Sequence, residues 1–259
     1  MQYPKEFDSA LALLKRAEHH LADIEQLAVE FEVMAPFLFT HVGEPDGTTS
    51  IRAQFGAPVG DVIAPIIFDL FNAFRSALDH AVYAATVSVT KKPKPRSTKF
   101  PFGETEAGAR SEFGRGAADV PLELQDVLVA SQPFRLDGTD NLLWSFNKIR
   151  NRGVHRLIEP TIPGLNSIEI GPSSIHRALR ISWKLAISNQ WDEKNNALEL
   201  VRVRDATNDL NVRVSLALAF GAETELAGKQ LRQILPMIKV KVQSIVDQIA
   251  KKTNELVAT

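Results

Sequence analysis

The chain contains no cysteine. That excludes disulfide cross-links, thiolate metal sites and a cysteine nucleophile, and nothing calls for an oxidising compartment. Neither charge is in surplus: 30 Lys and Arg face 31 Asp and Glu, a net charge of −1. Bulk attraction to nucleic acid is therefore excluded as a binding principle, and any such contact has to be local. Long apolar runs are missing as well. No segment reaches the roughly 18 consecutive apolar residues of a membrane span. The opening "MQYPKEFDSALALLKRAEHH" places Lys5, Glu6, Asp8 and Lys15 where a secretion signal would be apolar. A cytoplasmic protein without a membrane segment is the expectation. No glycines stand at the spacing of a Walker loop or a dinucleotide fingerprint, and no HExxH zinc pair or serine elbow occurs, so no cofactor or metal is expected.

What is present is enough apolar surface, 44% of 259 residues, for a sizeable core. Apolar residues at three- and four-residue spacing predict a helix from about Glu6 to Val33, with Leu11, Leu14, Ala17, Leu21, Ile24, Leu27, Ala28 and Phe31 on its stripe and Asp8 or Ser9 as its cap. Two β-prone runs around "GEPDG" predict a hairpin. A long helix from Asp61 to about Val89 follows, buried along Ile63, Ile67, Leu70, Phe74, Ala77, Leu78, Ala81 and Ala85, with Pro65 tolerable in its first turn. "KKPKPRSTK" ends it. Two prolines forbid regular structure there, and five basic residues mark a solvated loop, though the same charges could clamp phosphates.

Shorter helices are predicted near Glu104 to Phe113 and Pro121 to Ala130, then one from Asp140 to Leu157 that Pro160 and Pro163 stop. From about residue 165 to 221 the period falls to two in "LRISWKLAIS", "ALELVRVR" and "NVRVSLALAF", which predicts an antiparallel meander. A last helix from about Glu223 to Leu256 is expected to kink at Pro236. The expectation is a single α+β domain over residues 1–259, with a helical part to about residue 160, the meander, and the C-terminal helix. A helical domain with a separate β module is the alternative.

Two helices carry polar residues that a purely structural helix does not require. In "DLFNAFRSALDHAVYAA", Asn72, Arg75, Ser76, Asp79, His80 and Tyr83 lie opposite the apolar stripe, and Arg75 and Asp79 are spaced to pair. In "LLWSFNKIRNRGVHRLI", Asn147, Asn151 and His155 stand at four-residue intervals beside a stripe of Leu142, Phe146, Ile149, Gly153 and Leu157. If the helices pack side by side, Arg75, Asp79, His80, Asn151, His155 and Arg156 converge.

"RNRGVH", Arg150 to His155, resembles the Arg, polar residue, three residues, His signature of the HEPN superfamily. That resemblance implies helical, usually dimeric domains, many of them metal-independent endoribonucleases. It would make RNA the partner and a homodimer the assembly. Arg150 would grip the scissile phosphate, Asn151 would support the site, and His155 would be the general acid or base for attack by the ribose 2′-hydroxyl. A second resemblance spans roughly residues 70 to 158. "RSALDHAVYAA", "FPFG", "SQPF" and "LLWSFNKIRNRGVHRLI" look like landmarks of uncharacterised bacterial proteins with an Arg-x-x-x-Asp-His helix, a Phe-Pro element, a Gln-Pro-aromatic element and a helix ending Asn-x-Asp-Lys-His-Arg. Gly153 and Val154 stand where that pattern has Asp and Lys. Three readings compete: a ribonuclease site built on Arg150, Asn151 and His155; a ligand or partner site formed by Arg75, Asp79, His80 and Arg156 with their neighbours; and a polar cluster that only buttresses helix packing.

Overall fold

The computed structural model describes residues 2–34, 37–56, 62–91, 94–138, 141–155, 161–172, 185–192, 194–204, 210–221 and 223–258. The fold is α+β, with an N-terminal hairpin, antiparallel sheet, several helices and a long C-terminal helix. Two compact units make it up: one of Met1–Ile24, Pro65–Ile158 and Gln233–Thr259, the other of Glu25–Ala64 and Glu159–Arg232. Among the described residues no helix is long and apolar enough to cross a membrane.

The first unit is helical. α1 (Asp8–Met34) is entered through a 3-10 turn, Lys5–Phe7, so the helical path starts one turn before the expected caps. Its buried positions Phe7, Ala10, Leu14, Ala17 and Ile24 keep the three-and-four spacing of a one-sided helix. α2 (Ile63–Thr90) buries every residue of its expected stripe, and Phe71, Ala73, Val82 and Ala84 besides. A helix apolar on so much of its circumference belongs at the centre of its unit. α3 (Glu106–Ser111), capped by the Thr105 hydroxyl on the Gly108 N–H, and α4 (Leu122–Ala130) are short. α5 is Leu142–His155 and α6 is Leu231–Ala258, with Pro236 in its second turn. Phe146 of α5 meets the rings of Phe71, Phe74 and Phe102 at 5.7, 6.2 and 5.9 Å between centroids. Gly153 of α5 has no room for a side chain: a Cβ there would stand 2.7 Å from the Phe68 ring of α2.

The second unit holds two antiparallel sheets. β1 (Phe37–Gly43), β2 (Thr48–Phe55), β5 (Ala197–Arg204) and β4 (Leu185–Asp192) lie in the order β1-β2-β5-β4. The expected hairpin is β1–β2. Gly47 takes φ +77°, and Asp46 accepts the Thr48 N–H at 3.0 Å. Phe55 is the hub of the unit's core, with ring centroids of Phe31, Phe37 and Trp191 at 6.0, 5.7 and 5.8 Å. Ala53, Leu198, Leu200 and Leu216 complete that core.

β3 (Thr161–Pro172) pairs with β6 (Leu210–Phe220) in a sheet of their own. Here the pairing departs from a simple meander: β5 neighbours β2 and β4, and β6 neighbours β3. Pro163, expected to help stop the preceding helix, is compatible with β3, because each strand of a two-stranded ribbon has an open edge on which a missing N–H costs no ladder bond. The C-terminal helix also begins later than its composition suggests. Residues 223–229 form successive turns ending at Gly228, whose φ of +70° breaks helical continuation.

Candidate binding cleft

Within the helical unit the i,i+4 pair on α2 is the centre of a polar knot. Arg75 Nε donates to Asp79 Oδ2 at 3.0 Å, Nη1 to Asn147 Oδ1 of α5 at 3.0 Å, and Nη2 to the Phe100 carbonyl at 3.2 Å. The Phe100 N–H donates to Asp79 Oδ1 at 2.7 Å. One helical turn thus grips the backbone of Phe100 by both its polar groups. The Arg75 guanidinium also lies 4.5 Å from the centroid of the Phe102 ring, a cation–π contact. Phe100 is only 1% exposed and Asn147 only 5%. Polar groups at that depth need partners, and the knot supplies them.

The "FPFG" element is fixed from the other side as well. The Gly103 N–H donates to the Pro133 carbonyl at 3.2 Å, joining it to "SQPF". A Cβ on Gly103 would fall 2.3 Å from the Ala109 amide nitrogen of α3, so glycine is required by close approach of two backbones. The segments that look scattered in sequence, Arg75–His80, Phe100–Gly103, Ser131–Phe134 and the first turns of α5, are one bonded layer.

Beside the knot is an open cleft of about 360 Å³. Its polar lining includes Lys99, Glu104, Glu112, Lys148 and Asn151, and Trp144 and Phe102 form apolar wall. Lys148 is paired with Glu104, and its ammonium lies 5.7 Å from the Trp144 ring centroid. The Trp144 indole N–H is buried and has no hydrogen-bond partner among the described residues. Among the described residues no group of three His, Asp or Glu side chains is placed to hold a metal ion.

The other expected residues sort as follows. Arg150 leans on α2: its Nε donates to Asn72 Oδ1 at 2.8 Å and Nη1 to Asn151 Oδ1 at 3.1 Å. Burial lowers its pKa, nearby Arg75 lowers it further, and Asp79 partly opposes both. A guanidinium remains charged under such a shift. Asn151 reaches the cleft. His80 does not: it is exposed, and its Nδ1 sits 2.7 Å from the Ser9 hydroxyl of α1. The side chain of His155 and the whole of Arg156 lie outside the described residues. Sequence reasoning did not single out Lys99, Phe102, Glu104 or Lys148 for the site. Phe102 had one available signal, the Phe-Pro-Phe spacing that puts a buried ring two residues before another ring. Comparison with known protein families, curated proteins and solved structures finds no match to this chain.

Proposed function

We propose that this is a non-enzymatic binding protein whose helical unit receives a polar ligand or a partner's segment in the cleft beside Arg75 and Asp79. The observation that carries this reading is the division of labour in the cluster. Arg75 and Asp79 spend their hydrogen bonds on Asn147 and the Phe100 backbone, so they build the wall. Lys99, Lys148, Asn151 and Trp144 are left lining the space. Such a site, charged and amide side chains beside the aromatic walls of Phe102 and Trp144, suits recognition of a polar ligand.

The test is a thermal-shift screen of small polar metabolites and short peptides on the full chain. At least one class should raise Tm by a few degrees, and a Lys148→Ala/Asn151→Ala protein that is equally folded should lose that response. An absence of any stabilising compound counts against the binding reading.

The second reading is a HEPN-like, metal-independent endoribonuclease acting as a homodimer. In its favour, Arg150 is held by two amide oxygens and has no carboxylate partner among the described residues, which leaves it suited to phosphate. Purified protein cutting an RNA pool in EDTA, with the His155→Ala protein inert, would replace the binding reading by this one.

A further inference from the structure

We propose that Lys91, Lys94, Arg96 and Lys99, in the basic stretch after α2, are a docking track for an acidic polypeptide segment, leading it toward the cleft; the cleft end of the track rests on the binding reading above. Nine residues, "KKPKPRSTK", hold five cations and no acid in a chain whose net charge is −1. Lys91, Lys94, Arg96 and Lys99 are all exposed. None of the four forms an ion pair with a carboxylate among the described residues, whereas several cations elsewhere in the same unit do. Arg75 has Asp79 at 3.0 Å, Arg110 has Glu106 at 2.8 Å, Arg115 has Glu112 at 3.1 Å and Lys239 has Glu18 at 2.9 Å. Like charges crowded together repel. A cluster of exposed, unmatched cations is a place where a counter-charge gains.

The stretch from Arg96 to Lys99 is also held in place. Asp119 accepts the N–H groups of Arg96 and Ser97 at 2.7 and 3.0 Å, the Asp119 N–H donates to the Ser97 carbonyl at 2.9 Å, and the Lys99 N–H donates to the Gly116 carbonyl at 2.9 Å. Fixed backbone reduces the ordering cost of binding. Lys99 is both the last cation of the loop and part of the cleft lining, so track and cleft are continuous.

The chemistry selects the partner class. Two of the loop's amides are proline and two more are taken by Asp119, which disfavours recognition by strand addition. Recognition falls to the side-chain charges. The loop offers bases no exposed aromatic platform, its nearest ring, Phe100, being 1% exposed, and it offers a duplex groove neither a helix nor a two-stranded ribbon. A chain of carboxylates needs neither.

The experiment is fluorescence anisotropy on the full chain with two labelled probes of equal charge, a peptide of alternating Glu and Gly and a mixed-sequence single-stranded RNA, at low and physiological salt. The peptide should bind, more weakly as salt rises. A Lys94→Glu/Arg96→Glu protein should lose at least tenfold in affinity, and a Lys5→Glu/Lys251→Glu protein, with the same change in net charge, should not. No peptide binding, an equal loss in the control, or tighter binding of RNA than of peptide overturns the proposal. Separate failure of the cleft is visible in the same assay. If Lys148→Ala/Asn151→Ala leaves peptide affinity intact while the loop variant abolishes it, the track stands alone; if small-molecule shifts persist while the peptide does not bind, the cleft stands without the track.

Discussion

Each unit contains an arginine-centred polar cluster, and the two are built on opposite plans. In the helical unit Arg75 meets one carboxylate, one amide oxygen, one backbone carbonyl and one aromatic face. In the sheet unit Arg52 is surrounded by acids: Glu44 at 2.7 Å, Asp192 at 3.6 Å and Glu199 at 3.9 Å. Glu199, 8% exposed, also accepts from the fully buried Ser50 hydroxyl at 2.9 Å and from Arg202 at 2.9 Å. The first cluster is charge-neutral and rich in fixed neutral partners, so it depends on geometry. The second sets two arginines against three carboxylates, so it depends on the balance of charge. Clusters of the first kind pin a segment; those of the second hold strands in register.

The largest expected effect is Asp79→Ala. It strands the Arg75 guanidinium, 14% exposed, and leaves the Phe100 N–H without its acceptor. Removing one member of a desolvated pair costs far more than the pair is worth intact. A loss of about 3 kcal/mol in urea unfolding is expected, with the Phe100–Gly103 segment exchanging amide protons faster. A loss below about 1 kcal/mol would mean the knot is solvated and the comparison fails.

Next is Arg52→Met. It leaves Glu44, Asp192 and Glu199 facing one another, but Glu199 retains Arg202 and Ser50, so a smaller loss of about 2 kcal/mol is expected by the same measurement. An effect as large as that of Asp79→Ala would show that Arg52 is a single keystone and not one of two cations sharing the charge.

These two clusters also explain what could be read from the sequence. Arg75 and Asp79 are four apart on a helix, a spacing that announces contact, and the α2 stripe from Ile63 to Ala85 followed from period alone. The Arg52 cluster draws on residues 149 positions apart, as in Ser50 and Glu199, and nothing local encodes which strands become neighbours. Strand existence was legible in "ALELVRVR" and "NVRVSLALAF"; their partners β2 and β3 were not, since alternation fixes a face and not a neighbour. The cleft was half legible for the same reason. Its helical wall has periodic spacing, whereas Lys99, Phe102 and Glu104 come from an irregular segment whose path is set by the backbone grip of Arg75 and Asp79.

The smallest effect expected is that of Asp192→Asn, in the sheet cluster. The Asp192 pKa is lowered first by the Asn195 side chain and then by the Asn195 N–H, which donates at 3.1 Å; loss of solvent pulls it back up, and Arg52 and Lys194 add smaller downward contributions. A carboxyl with a folded pKa below its unfolded value of about 3.9 contributes stability that is fully present above that unfolded value. That contribution is lost as pH falls through the folded pKa. The wild-type and Asp192→Asn proteins should therefore differ most near neutral pH and converge in acid. Unfolding by urea at several pH values from about 7 down to 3 reads this directly. A gap between wild type and Asp192→Asn that stays constant across the range would show that Asp192 carries no protonation-linked stability.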